Sequence, residues 1–249
     1  MSPMLRATVP LVLLALLPAP AALAGPVAWQ TVLDADFQDQ PVEKPLALGT
    51  AAQGLPVSIA PNLWALVRDT PMASRSVQVT WSQVVGSGAV RFLLVDDVEP
   101  RTGALSIRFD LHPQVADAYT VFLREAKGAS QAFGDLLLNG SGGVRVNDSI
   151  GSTLLPWTWQ PGRTYAIHWL YDLDAGRYDL RVDGRVVLAG RSHGIDLADP
   201  QQAGLGSVSF GLNNGATANA VLSFDNLLVR HAASIQAEDL LFNAAFDPF

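Results

Sequence analysis

The sequence contains no cysteine and few charged residues, and each shortage excludes a class of protein. Without cysteine the chain has no disulfides, no thiolate metal ligands, no cysteine nucleophile and no lipid attached through an N-terminal cysteine. Only 16% of its 249 residues are charged while 49% are hydrophobic, a balance too apolar for a disordered chain. A formal net charge of −7 and scattered basic residues argue against nucleic acid as a partner.

Long hydrophobic runs are also absent beyond the first 24 residues, so a membrane-spanning protein is not expected. Within that leader, Arg6 precedes a short apolar run from Leu11 to Leu17 and the small-residue sequence Ala22-Leu23-Ala24. These are the three parts of a secretory signal peptide. We expect cleavage near Ala24 and a secreted or periplasmic protein.

Alternation of apolar and polar residues dominates the rest of the chain. Leu105, Ile107, Phe109 and Leu111, for example, are separated by polar residues, the pattern of a strand with one buried face. About a dozen such runs, joined by Gly- and Asn-rich turns, predict an all-β protein. We therefore expect a two-sheet antiparallel jelly-roll sandwich as a single domain over residues 25–233. Residues 234–249 are predicted to form a C-terminal tail.

One predicted hairpin is specific enough to give a register. Its strands lie on either side of an acidic turn from Asp172 to Gly176, and Asp183-Gly184 begins the next turn. Matching the apolar faces of the two strands predicts three cross-strand pairs: Trp169 with Tyr178, Ile167 with Leu180, and Tyr165 with Val182. The same register places His168 beside Asp179, either as a stabilising pair or as an oriented catalytic histidine.

This hairpin and the end of the chain resemble a known superfamily. Pro161 to Tyr165 with Tyr178 to Gly184, and Phe224 to Val229 as a closing strand, are similar to the concanavalin A-like lectin/glucanase sandwiches, particularly laminin-G-like domains. The resemblance implies a jelly roll whose concave face or rim loops bind glycans. It also implies a structural calcium ion as cofactor, held by Asp225 on the last strand with Asp34 or Asp36 on the first.

Catalytic motifs of that superfamily are missing. The Glu-x-Asp-x-x-Glu strand of family-16 glucanases does not occur, and no Gly-x-Ser-x-Gly or His-Glu-x-x-His sequence is present. The alginate-lyase branch is echoed only faintly, by Leu123-Arg124-Glu125 and Tyr171. A lyase would require Arg108, Arg124, His168 and Tyr171 to meet on one concave face.

The favoured function is therefore a secreted, non-catalytic carbohydrate-binding or surface-interaction domain. The alternatives are a polysaccharide-degrading hydrolase or lyase and a purely structural envelope protein. Stacking on sugar and packing in the core are both open for Trp157 and Trp159, whereas Trp64 and Trp81 are assigned to the core. Neutral glycans are favoured unless arginines cluster, because the chain is acidic. The predicted glycan-binding residues are Arg108, His168, Arg181, Trp157 and Trp159.

Overall fold

The computed structural model describes residues 28–94, 99–126 and 131–234. The predicted signal peptide, 1–24, and nearly all of the predicted tail, 234–249, lie outside the described residues. No helix in the described ranges has the length and apolar character required to span a membrane.

A short 3₁₀ turn occupies Ala51–Gln53. The strands are β1 (Gln30–Ala35), β2 (Ser58–Ile59), β3 (Leu63–Arg68), β4 (Ser76–Trp81), β5 (Gly88–Leu93), β6 (Ala104–Pro113), β7 (Tyr119–Arg124), β8 (Phe133–Leu138), β9 (Gly143–Asp148), β10 (Gly151–Thr158), β11 (Tyr165–Asp172), β12 (Arg177–Val182), β13 (Arg185–Ser192), β14 (Ser207–Leu212) and β15 (Val221–Ala232).

The strands form two antiparallel sheets packed face to face. The larger sheet has the order β13-β12-β11-β6-β15-β4-β3, with β1 also paired to β15. The smaller sheet has the order β10-β9-β8-β7-β14-β5-β2. This arrangement confirms the prediction of an all-β, two-sheet antiparallel sandwich in a single domain. The jelly-roll connection and the concanavalin A-like family remain predictions.

The hydrophobic core lies between the sheets and is rich in aromatic rings. Phe210 of β14 stacks on Phe224 of β15 with ring centroids 4.0 Å apart, which joins the two sheets at their centres. Phe109 meets Phe210 edge to face at 4.8 Å, and Trp169 stacks on Phe109 at 5.8 Å. All four side chains are at most 2% exposed, so the alternation in β6, β11, β14 and β15 is fixed by burial of one face of each strand.

The predicted register of the β11–β12 hairpin is wrong by two residues. The observed pairs are Ile167 with Val182, Trp169 with Leu180, and Tyr171 with Tyr178. A two-residue slip keeps every side chain on its original face, so alternation alone could not distinguish the two registers. The strand in fact continues to Asp172, which pairs with Arg177 and leaves a four-residue turn.

The turn after β12 forms as predicted. Asp183 and Gly184 have φ angles of 50° and 74°, the left-handed conformation that a type I′ two-residue hairpin turn requires at both positions. Gly supplies this conformation without a steric penalty. The turn brings β13 back along β12 and completes one edge of the larger sheet.

Candidate functional site

The larger sheet has a polar side that faces away from the smaller sheet, and we call it the outer face. On β6, the core residues Ile107 and Phe109 alternate with Arg108 and Asp110, and the neighbouring strands alternate in the same way. The outer face therefore carries many side chains that donate and accept hydrogen bonds, together with the apolar Leu66, Leu170 and Leu228 at the same alternating positions. Its polar members and its tryptophan are Trp64, Gln78, Ser106, Arg108, Asp110, His112, His168, Arg181, Ser223, Asp225 and Arg230.

Three arginines and a histidine lie together on this face, and we call them the basic row. His168 of β11 is directly opposite Arg108 of β6 on one side and Arg181 of β12 on the other. Ser106, whose Oγ lies 2.9 Å from His168 Nε2, is opposite Arg230 of β15. The basic row thus spans four neighbouring strands, or about 14 Å at the usual strand spacing.

The environment keeps the His168 imidazole neutral. Burial lowers its pKa most strongly, and the positive charges of Arg108, Arg181 and Arg230 lower it further, to about 3. A neutral imidazole has one donor and one acceptor nitrogen. Arg181 is only 4% exposed, whereas Arg108, His168 and Arg230 are half-buried and accessible at the surface.

The structure corrects the predicted pairing of His168 with Asp179. Asp179 is opposite Leu170, and its Oδ1 accepts a hydrogen bond from the backbone N–H of Gly190 at 2.7 Å. The two-residue change in register is the cause, since it moves Arg181 into the position expected for the carboxylate. His168 therefore has no orienting carboxylate of the kind used in acid–base catalysis at that cross-strand position.

Two carboxylates face each other beside the basic row. Asp110 of β6 is directly opposite Asp225 of β15, and the Asn226 amide donates to Asp110 Oδ2 at 2.7 Å. Asp225 is fully buried and accepts a hydrogen bond from the Ser74 hydroxyl. Burial is the main cause that raises the pKa of Asp225, the charges of Asp110 and Asp36 add to it, and together they bring the pKa to about 6 despite that hydrogen bond.

The calcium ligands predicted from the sequence are Asp225 with Asp34 or Asp36. The charge of Asp36 acts on buried Asp225, and Asp225 Oδ1 has no hydrogen-bond partner. Calcium, however, requires six to eight oxygen ligands, and no group of three or more acidic or histidine side chains suited to a metal occurs among the described residues. The side chains therefore supply only part of a calcium cage, and the calcium site remains a prediction.

The tryptophans are distributed differently from the sequence-based expectation. Trp159 is 3% exposed, and its indole Nε1 donates to the Asn139 carbonyl at 2.9 Å. Its ring is therefore core, which corrects its assignment as a sugar platform. Trp157 is half-buried and packs edge to face on Tyr165 at 5.2 Å, so its exposed area is small. Trp64, which was assigned to the core, is 57% exposed.

Trp64 lies on the outer face of β3, an edge strand of the larger sheet. Its neighbours Leu63 and Ala65 point into the core. Because all three residues are apolar, the sequence shows no change of polarity to indicate that Trp64 points outward. The alternating position between two buried residues was the signal that could have identified it. An exposed indole of this kind offers a flat surface on which a sugar ring can stack.

The residues expected of a lyase do not meet on one face. Tyr171 points into the core, where its hydroxyl donates to the Phe133 carbonyl at 3.2 Å. Burial raises the pKa of this phenol far above its usual value. Arg124 belongs to β7 of the smaller sheet and forms an ion pair with Asp135. Only Arg108 and His168 of the expected group are brought together.

A depression among loops at one end of the sandwich is another candidate site. It has a volume of about 350 Å³ and is lined by residues that include Arg101, Asp174 and Asp196. Arg101 donates to the Asp199 carbonyl at 2.7 Å, and the two carboxylates each accept a backbone N–H, at 3.1 Å and 3.0 Å. Because these polar groups hold the loops themselves, the outer face is the better candidate site.

Comparisons with known proteins support the architecture. No protein-family model and no curated protein matches the sequence. Solved structures with similar folds include a sialidase, with a TM-score of 0.54, 16% identity, and coverage of 83% of this chain and 19% of the other. A carbohydrate esterase from Shiga toxin-encoding bacteriophage phi24B has a TM-score of 0.54 and 11% identity, covering 82% and 99%.

The binding domain of Paraclostridial Mosquitocidal Protein 1 is a third similar structure, with a TM-score of 0.53, 11% identity, and coverage of 84% and 50%. This chain therefore spans about a fifth of the sialidase and half of the toxin domain, but almost the whole esterase chain. At these identities the likeness shows a shared β-sandwich fold alone.

Proposed function

We propose that this protein is an exported, non-catalytic carbohydrate-binding β-sandwich of the concanavalin A-like type. Its ligand would be an oligo- or polysaccharide lying across the outer face. The observation that carries the proposal is the combination of half-buried polar side chains on adjacent strands with an exposed tryptophan on the same face. The carbohydrate-related names of two similar structures, a sialidase and a carbohydrate esterase, are consistent with it.

The chemistry of the outer face matches that of a sugar. Neutral His168 and Gln78 are half-buried and can both donate and accept hydrogen bonds, as sugar hydroxyls do, and Trp64 supplies an apolar ring face. Three strand spacings separate Trp64 on β3 from Arg108 on β6, a distance of about 14 Å before any offset along the strands. A ligand contacting both must contain several sugars, and single sugars should bind weakly because they cover little area.

The state of the titratable groups supports the non-catalytic assignment. His168, with a pKa of about 3, is a weak base, and no orienting carboxylate lies opposite it. A polysaccharide hydrolase is the second candidate, because the opposed pair Asp110 and Asp225 includes one carboxyl with a pKa of about 6, a property of a general acid. Against it, Asp225 is fully buried beneath Ser74, where a glycosidic oxygen does not reach it.

A glycan array with the full chain, followed by calorimetric titration of each hit, tests binding. Trp64→Ala should weaken binding of an oligosaccharide at least several-fold, as expected for loss of a stacking ring. The control Leu154→Ala removes a side chain of similar exposure, 63%, from the smaller sheet and should bind normally. Absence of binding to every neutral and acidic glycan would overturn the proposal.

Catalysis is tested on the same hits by assaying new reducing ends and unsaturated uronates. The proposal expects neither product. Reducing ends that appear with wild type and disappear with Asp110→Asn would establish the hydrolase instead. Unsaturated uronates would establish a lyase, and either result would contradict the non-catalytic assignment.

A further inference from the structure

We propose that the ligand is a neutral oligosaccharide that lies crosswise over the strands of the larger sheet, along an uncharged band of the outer face and not over the basic row. This inference rests on the proposed function, and it adds the class of sugar and the path of the chain. The band runs from β3 across β4, β15 and β6 to the residue that precedes β11. We call it the neutral band, and its accessible members are Trp64, Leu66, Gln78, Thr80, Gln114 and Thr164.

Cross-strand pairing places the first members of the neutral band side by side. Thr80 of β4 is directly opposite Trp64 of β3, and Gln78 is opposite Leu66. On its other side Gln78 is opposite Ser223 of β15. Directly opposite side chains lie about 5 Å apart and diagonal ones about 7 to 8 Å. A sugar stacked on Trp64 therefore lies within reach of the Thr80 hydroxyl and the Gln78 amide.

The polar groups beside Trp64 are available to a ligand. Among the described residues, neither the Gln78 amide nor the Thr80 hydroxyl has a hydrogen-bond partner, and both side chains are half-buried. An amide and a hydroxyl can each donate and accept hydrogen bonds, as sugar hydroxyls do. These two groups supply the directional contacts that the apolar ring of Trp64 lacks.

Two buried side chains position the far end of the neutral band. Ser223 is fully buried, and its Oγ accepts a hydrogen bond from Gln114 Nε2 at 3.2 Å. His112 of β6 is opposite Ser223, and its Nδ1 lies 2.9 Å from Thr164 Oγ1. Gln114 is half-buried and Thr164 is exposed. Their polar groups are therefore held at the surface from below.

The neutral band has no charged member. Burial lowers the pKa of His112, so its imidazole is neutral at pH 7. Arg68, the basic residue of β3, forms an ion pair with Glu43, and the two charges cancel. The members of the band therefore offer no cation to an acidic sugar.

Two carboxylates separate the neutral band from the basic row. Asp110 and Asp225 face each other across β6 and β15, one alternating position beyond the band. Their negative charge repels a uronate that lies on the band. Beyond them, Arg108 interacts with other groups of the protein. The charge distribution of the outer face therefore favours a neutral sugar over an acidic one.

The spacing of the strands sets the length of the ligand. Four strand spacings separate β3 from β11, a distance of about 19 Å. A disaccharide stacked on Trp64 covers only one end of the band and makes few contacts. Affinity should therefore rise with each added sugar until the chain reaches Thr164, and longer chains should gain nothing more.

The test compares neutral oligomers with their acidic forms. The probes are cello-, manno- and laminari-oligosaccharides from disaccharide to hexasaccharide, together with any other neutral hit of the glycan array. Each is titrated into the full chain beside its C6-oxidised uronate form. Affinity for a neutral series should rise with length, and its hexasaccharide should bind about fivefold more tightly than the oxidised hexasaccharide, because like charges on neighbouring strands repel.

Variants then locate the ligand on the sheet. Gln78→Ala should lower affinity for every oligomer roughly twofold to tenfold, as expected for loss of one hydrogen bond. Thr164→Ala should lower affinity for the long oligomers alone. Gln201→Ala at an exposed loop position and Thr153→Ala on β10 of the smaller sheet are the matched controls and should bind normally. Thermal unfolding of every variant checks that the fold is retained.

The outcomes separate this inference from the proposed function. Equal or tighter binding of the oxidised form, or a loss in Arg230→Gln as large as that in Gln78→Ala, would overturn the neutral-band assignment while leaving a carbohydrate-binding protein. Equal effects of Thr164→Ala on disaccharides and hexasaccharides would overturn the crosswise path. Failure of all neutral and acidic glycans to bind would overturn both proposals. Length-dependent binding of a neutral oligomer that requires Gln78 and Thr164 would support both.

Discussion

Ionisation of the buried carboxyl of Asp225 should lower the stability of the folded protein as the pH rises. Replacing Asp225 by asparagine should remove this pH dependence. Its carboxyl is fully buried, faces Asp110 across the strand pair β6–β15, and has one oxygen without a hydrogen-bond partner. Replacing it by asparagine keeps the shape and removes the charge. The Ser74 hydroxyl, which now donates to the carboxylate, can rotate to accept from the new amide.

The size of the effect follows from the pKa of Asp225. The carboxyl has a pKa of about 6 in the folded protein against 3.8 for an unperturbed aspartate, and one pKa unit corresponds to about 1.4 kcal/mol. The buried charge therefore costs about 3 kcal/mol at neutral pH. Because the folded state binds the proton more tightly, the penalty is absent below about pH 4, grows as the pH rises to about 6, and is constant above that.

Denaturant unfolding of wild type and Asp225→Asn, in excess EDTA, measures this penalty. At about pH 7.5 the variant should be more stable by up to about 3 kcal/mol, which for a chain of this length raises the melting temperature by about 6 to 12 °C. At about pH 4 the two should be equal. Asp39→Asn, at an exposed position, is the control. A variant equal to or less stable than wild type at both pH values would refute the reasoning.

The same unfolding experiment, repeated with added calcium, tests the predicted calcium site. An ion bound to Asp225 would favour the ionised carboxylate and stabilise the folded state in proportion to its occupancy. The predicted calcium site therefore expects added calcium to raise the melting temperature of wild type and to leave Asp225→Asn unchanged. Equal melting temperatures of wild type in calcium and in EDTA would contradict the calcium prediction and leave the pH effect as the property of Asp225.

Two further predictions concern other parts of the sandwich. The ring protons of His168 should show no titration by NMR between about pH 5 and pH 8, because its pKa of about 3 lies well below that range; a midpoint near 6.5 would contradict the charged surroundings described for it. Gly134→Ala should destabilise the fold by about 1 to 3 kcal/mol, since its Cβ would lie 3.2 Å from the Tyr171 hydroxyl and 3.3 Å from Trp169 Nε1 at a φ of +148°. Gly151→Ala, at a φ of +130° with open space around it, separates the packing effect from backbone strain, and equal losses in the two variants would disprove the packing argument.

Alternation in the sequence located most of the strands. The sequence predicts strands at Leu63–Arg68, Ser76–Trp81, Tyr119–Arg124 and Phe133–Leu138, and β3, β4, β7 and β8 have these bounds in the structure. Each of these strands buries at least one face in the core. The eight-residue strand β10 escaped detection. Its Leu154-Leu155-Pro156 sequence breaks the alternation, and Pro156 lacks a backbone donor, which is tolerated because β10 is an edge strand with an irregular register.

The sequence by itself thus determined the fold class and the positions of most of the strands, since these depend on local periodicity. Pairing between distant strands was decided only by the tertiary structure. A two-residue slip placed Arg181 rather than Asp179 opposite His168, and the pairing of β6 with β15 brought Arg230 beside Ser106. Likewise, Trp159 is buried by contacts with Asn139 and Tyr119. Such contacts join segments far apart in the chain, and the free energy that selects them comes from packing of the whole sandwich rather than from any local pattern.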